Sequence, residues 1–70
     1  MERFAIIVSR RLCDLAYEVV VENLGAIVDD ILDEHDKSTI VISSDMRRVG
    51  IMTSLLDYLP QEEVLVLPVW

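Results

Sequence analysis

The chain has 70 residues, of which 53% are apolar, and its 13 acidic and 6 basic residues give a formal net charge of −7. This length predicts one domain, residues 1–70, with a single small core. The acidic balance argues against direct nucleic-acid binding, which needs cations to neutralise phosphates, and no run approaches the roughly 18 apolar residues of a membrane span.

The apolar content is high for so short a chain. The mean hydropathy is +0.42, and a small monomer has little interior in which to hide apolar side chains. Cys13 is the single cysteine, so an internal disulfide is impossible. We therefore expect a protein partner or a homo-oligomer to supply stability. The lone cysteine and the short apolar run near the start, unlike a signal peptide, favour a cytoplasmic protein.

Three apolar segments predict strands. Residues 4–8 form a continuous apolar run rich in β-branched side chains, and residues 39–42 and 64–67 are runs of the same type, with Thr39 as their one polar member. Continuous rather than alternating apolarity favours burial on both faces, which is typical of parallel sheets covered by helices. We therefore predict an α/β domain with a three-stranded, mainly parallel sheet in the pattern β-α-β-α-β.

Two strand orders are compatible with right-handed crossovers. Order 2-1-3 places the first strand in the centre and a helix on each face, and we favour it. Order 1-2-3 would place both helices on one side, and the other apolar face would then need a partner subunit.

A long or broken first helix is predicted after the first strand. Apolar residues from Leu12 to Ile31 recur at intervals of three and four residues, as on an amphipathic helix. Gly25 is a natural interruption because glycine ends helices in the left-handed conformation. In the alternative interpretation, residues 26–28 form a short additional strand and a brief helix follows around residues 31–35. The second helix is predicted over residues 45–58, since the position before Pro60 disfavours helix.

The two strand-to-helix junctions place serines and paired arginines together. In a parallel sheet both junctions lie at the carboxyl edge, where open α/β folds bind ligands. Serine caps, free backbone N–H groups and arginine forks there are suited to a small anion. In the alternative, the arginines only pair with nearby acids such as Asp14 and Asp45. The predicted anion site comprises Ser9, Arg10, Arg11, Ser43, Ser44, Arg47 and Arg48.

The negative charge is concentrated in residues 12–36, which contain eight acidic residues and no basic one. Such a segment favours docking of a protein partner. Tyrosine and tryptophan are common anchors of interfaces. The predicted partner interface comprises Asp29, Asp30, Asp33, Glu34, Tyr58 and Trp70.

Other chemistry-bearing residues predict no site. A single histidine, His35, and a single cysteine give no transition-metal spacing, and Cys13 is interpreted as a structural thiol. We predict neither a metal nor a cofactor. The favoured function is a non-catalytic protein-interaction domain with an oligomerisation, adaptor or inhibitor role. The alternatives are an anion-binding or phosphotransfer module and a decoy that imitates nucleic acid.

Overall fold

The computed structural model describes residues 1–69, and Trp70 lies outside the described residues. Short 3-10 turns cover Arg10–Leu12 and Gln61–Glu63, and a π-helical segment covers Val19–Asn23. The main elements, in chain order, are β1 (Glu2–Ser9), α1 (Cys13–Glu18), β2 (Ile27–Asp33), β3 (Lys37–Ser44), α2 (Arg48–Leu56) and β4 (Val64–Val69).

The sheet has four strands in the order β2-β3-β1-β4, and every neighbouring pair is antiparallel. The prediction of a three-stranded, mainly parallel sheet in order 2-1-3 is therefore wrong. The physical reason is the extra strand β2, which forms a hairpin with β3 and so reverses β3 relative to β1. Each helix still connects two parallel strands, but an antiparallel strand lies between them. This β-α-β-β-α-β arrangement is the split β-α-β, or ferredoxin-like, topology.

The first helical region ends at Gly25, as predicted, but no helix follows it. Gly25 has a φ of +61°, and residues 27–33 continue as β2. The alternative interpretation of a strand over residues 26–28 is therefore correct for residues 27 and 28, whereas its brief helix around residues 31–35 is wrong because β2 continues to Asp33. The register shifts between Val28 and Asp30. This bulge breaks the alternation of a strand. The apolar pairs of β2, residues 27–28 and 31–32, therefore recur four residues apart, which is the spacing of a helix.

The core lies on one side of the sheet. In β1 and β3, buried and less buried residues alternate, although their sequences look continuously apolar. Phe4, Ile6, Ile40 and Ile42 pack in one cluster with residues of both helical regions. The prediction of helices on both faces is therefore wrong, and both helices cover the same face. Further core members from the helical regions are Ala16, Val19, Val20, Ile51 and Leu55.

The second helix is shorter than the predicted residues 45–58. It begins at Arg48, and Arg47 is the extended N-cap residue. The hydroxyl of Ser44 accepts a hydrogen bond from the Met46 backbone N–H at 3.1 Å, so it stabilises the turn before the helix. At the other junction Ser9 occupies the N-cap position of a 3-10 turn without a side-chain capping bond. Neither predicted serine cap contacts its helix in the expected way.

The left-handed conformation of Gly25 gives a stability prediction. Gly25→Ala should lower the free energy of unfolding by about 1–2 kcal/mol, the usual cost of this conformation for a residue with a Cβ. An added Cβ would meet no atom within 4 Å, so the cost is conformational. Urea denaturation measures it. Gly25→Asn is the matched control and should lose less, because asparagine tolerates this region. Equal losses in the two variants would contradict the interpretation.

Candidate functional site: the open face of the sheet

The side of the sheet opposite the helices forms a surface that we call the open face. Its positions follow from the register of the four strands, because side chains on paired residues lie on the same side. It is made by Arg3, Ala5, Ile7 and Ser9 of β1, Ile27, Asp30 and Leu32 of β2, Lys37, Thr39, Val41 and Ser43 of β3, and Leu65, Leu67 and Val69 of β4.

Two adjacent cross-strand rows make the centre of the open face apolar. One row runs Leu67, Ala5, Val41, Asp30, and the next runs Leu65, Ile7, Thr39, Leu32. Leu32 is 53% exposed, Leu65 is 43% exposed and Leu67 is 39% exposed. These large side chains remain in contact with water because neither helix of residues 1–69 packs on this side. The apolar members of the two rows, Leu67, Ala5, Val41, Leu65, Ile7 and Leu32, are called the apolar band, and Asp30 flanks them on the edge strand.

One end of the open face carries a small polar network around Asp29. Its carboxylate accepts a hydrogen bond from the Ser43 hydroxyl at 2.6 Å, and the same oxygen lies 3.4 Å from the Arg3 Nε. The bulge in β2 places Asp29 beside Ser43 on this side. Arg3 is therefore held over the sheet by a carboxylate of the edge strand.

The opposite end of the open face borders a concavity of about 270 Å³. Ser9 and Lys37 lie on its sheet side, and Asp36, Glu62 and Glu63 add three carboxyl groups. Glu63 accepts a hydrogen bond from Arg11. The concavity is an acidic notch next to the apolar band.

The two halves of the predicted anion site lie at opposite ends of the sheet. Ser9 pairs with Lys37, whereas Ser43 pairs with Arg3 six positions earlier on the same strand β1, a separation of roughly 20 Å at 3.4 Å per residue. The expected convergence on one edge is wrong because β1 and β3 run in opposite directions. Whether either half alone holds an anion stays a prediction.

Three of the four arginines in that predicted site contact other groups of the chain. Arg10 donates to the Glu34 carbonyl oxygen at 3.2 Å, and the Nε of Arg48 donates to the Val66 carbonyl oxygen at 2.6 Å. Arg11 pairs with Glu63. These contacts connect the helical turns to the β2–β3 hairpin, to β4 and to the 3-10 turn Gln61–Glu63, so they give the arginines a structural role.

The predicted partner interface is only partly on one surface. Asp29 and Asp30 lie at the edge of the open face, whereas Asp33 points to the other side and accepts a hydrogen bond from the buried Ser38 hydroxyl at 2.6 Å. Glu34 lies in the β2–β3 hairpin. Tyr58 lies after α2, and its hydroxyl accepts a hydrogen bond from the Asn23 side chain at 2.8 Å. The prediction for Trp70 falls outside the described residues.

Sequence reasoning missed the apolar band itself. The sequence predicts Ala5, Ile7 and Val41 in a core buried on both faces, and the alternative interpretation predicts Leu32 in a brief helix around residues 31–35. The signal that separates the two sides of the sheet is the cross-strand pairing, which places Ile7 opposite Leu65 and Thr39.

Cys13 is half-buried and packs against the core. In the chain up to residue 69, no cluster of acidic, histidine or cysteine side chains is arranged to hold a metal ion.

Comparison with protein-family models, curated proteins and solved structures finds no match to this chain. None of the helices formed by residues 1–69 is long and apolar enough to cross a membrane.

The Asp29 network gives a prediction about the end of the open face. Ser43→Ala should lower the free energy of unfolding by about 1 kcal/mol, since it removes one hydrogen bond to a charged group that is partly exposed. A double-mutant cycle measured by urea denaturation tests this. In a chain that already carries Asp29→Ala, Ser43→Ala should lower the free energy of unfolding by much less than it does in the original chain. Additive losses would mean that the hydroxyl and the carboxylate do not stabilise one another.

Proposed function

We propose that this chain is a non-catalytic protein-interaction domain that docks through the open face of its sheet. The observation that carries the proposal is the apolar band, in which Leu32, Leu65 and Leu67 remain exposed beside Ile7. Burying such side chains releases about 25 cal/mol for each Å² of apolar surface. A second surface packed on the band would gain this free energy.

The size of the open face supports a protein partner. The four strands are spaced by about 4.8 Å, and the paired part of each strand is about 20 Å long, so the open face has roughly 400 Å² of flat surface. The apolar band takes up two of the four cross-strand rows, roughly 200 Å² of that surface. Exposed apolar patches rimmed by polar residues are typical of protein interaction sites. Small ligands instead bind in clefts that enclose them, and the centre of this face is an exposed sheet surface.

The chemistry of the band favours protein over nucleic acid. Open four-stranded sheets that bind RNA stack bases on aromatic side chains, whereas the open-face positions of residues 1–69 are aliphatic, polar or charged. The chain also has a net charge of −7, which repels phosphates. A protein surface with aliphatic side chains avoids both difficulties.

The anion-binding alternative receives less support. Its arginines are distributed between the two ends of the sheet, and Arg10, Arg11 and Arg48 already donate to oxygens of this chain. On the open face, the Ser43 hydroxyl donates its hydrogen bond to Asp29. This donor of the predicted anion site is therefore already engaged within the chain. These contacts favour docking over ligand chemistry.

Site-directed photo-crosslinking tests the proposal in cells that produce the protein. A photoreactive residue in place of Leu65 or Leu67 should form covalent adducts with protein, because both positions lie in the apolar band. Val49, which is 69% exposed on α2, and Leu15, which is 38% exposed on α1, are the matched helix-side controls. Adducts that form equally from the control positions, or none from the band, would rule out docking through this face.

A further inference from the structure

We infer that the partner of the open face is a second copy of this chain, packed face to face as the other half of a β-sandwich. The inference rests on the proposed function, because it names the occupant of the same surface. In sandwiches, two sheets pack about 10 Å apart and interdigitate the side chains of their inner faces. The open face presents one such inner layer.

The open face carries both signs of charge even though the chain is strongly acidic. Arg3 and Lys37 supply two positive charges, and Asp30 and the bulge residue Asp29 at its edge supply two negative ones, whereas the carboxylates of the acidic notch lie beyond its Lys37 end. A strongly basic partner would meet Arg3 and Lys37, and a strongly acidic partner would meet the two aspartates. A surface with an apolar centre and both signs at its ends is complementary to another surface of the same kind.

Positions of the charges make a twofold arrangement favourable. Arg3 lies at one end of the band and Lys37 at the other. Two sheets stacked about a twofold axis have the axis either along the strands or across them. With the axis along the strands, like ends of the two open faces lie together, and with the axis across the strands, opposite ends lie together. Each end carries carboxylates, Asp29 at one and Glu62 and Glu63 of the acidic notch at the other, so in both arrangements each cation of one copy lies near carboxylates of the other.

The sheet edges are less suitable for association than the face. At one edge, β2 carries three aspartates and a bulge, and at the other edge Pro68 lies in β4 and lacks a backbone N–H. Bulges, charges and prolines are the features by which natural proteins prevent edge-to-edge pairing. Association by extending the sheet is therefore disfavoured, and the face remains available.

The area sets the strength that we expect. Two faces of roughly 400 Å² each bury somewhat more than 800 Å² once the corrugation of side chains is included, which is below the roughly 1,000 Å² of a stable specific interface and is typical of weak, transient association. We therefore expect a weak dimer that forms only towards the millimolar end of the concentration range. Sedimentation equilibrium between micromolar and millimolar chain concentration should show the mass rising from 8.0 kDa towards twice that value.

Two charge reversals at exposed positions test the geometry. Lys37→Glu changes the charge of the open face from 0 to −2, and Asp30→Lys changes it to +2, each without touching the network of Arg3, Asp29 and Ser43. Each variant alone should dimerise about tenfold more weakly, since a symmetric dimer repeats the unfavourable contacts. An equimolar mixture should recover dimerisation, because opposite faces then meet.

Glu18→Lys on α1 is the matched control, since it changes the net charge of the chain as much as Asp30→Lys does but lies on the helix side. It should leave the dimer as strong as in the original chain. Equal effects of Glu18→Lys and Asp30→Lys, or no recovery in the mixture, would overturn the face-to-face arrangement. Circular dichroism verifies that each variant is folded.

A folded monomer at every concentration would overturn the second copy as partner. Adducts from Leu65 and Leu67 to a different protein in the crosslinking experiment would then still support the open face as a docking surface. Failure of both experiments would instead remove the proposed function. The two ideas are thus separated by their own measurements.

Discussion

The structure depends on the position of β1 between two antiparallel neighbours. Each residue of this strand has a partner in β3, and six of them also have a partner in β4. Because side chains alternate along a strand, this pairing sends Phe4, Ile6 and Val8 to the helices and Ala5 and Ile7 to the other side. A slip of one residue would exchange the two sets. The register of β1 therefore determines both the core and the open face.

The same constraint explains why a small acidic chain presents an apolar surface. Both helices lie on one side of the four-stranded sheet, so the side chains on that face are sufficient to make the core. β1, β3 and β4 nevertheless also carry aliphatic residues on the open face. A solvated antiparallel sheet usually has polar residues there. Folding of one copy therefore does not explain the composition of the apolar band.

The sequence predicts the individual elements better than their arrangement. Strands at residues 4–8, 39–42 and 64–67 are confirmed, as is the interruption at Gly25. The parallel sheet is wrong because one element was misassigned: the bulge beside Asp29 places apolar pairs at helical spacing, which conceals β2. Once β2 is missing, β3 takes the wrong direction, and the two serine–arginine junctions are brought to the same edge. Cross-strand pairing is not a local property, so no local pattern corrects this error.

In the proposed dimer, association buries the open face and leaves the helix side in water. The most direct measurement is methyl NMR with a soluble paramagnetic probe, recorded over a range of chain concentrations. We expect the methyl groups of Ile7, Val41, Leu65 and Leu67 to lose contact with the probe as the concentration rises, whereas those of Leu15 and Val21 on the helical side keep it. Protection of the helix-side methyl groups, or the same access at every concentration for all of them, would show that association does not bury the open face.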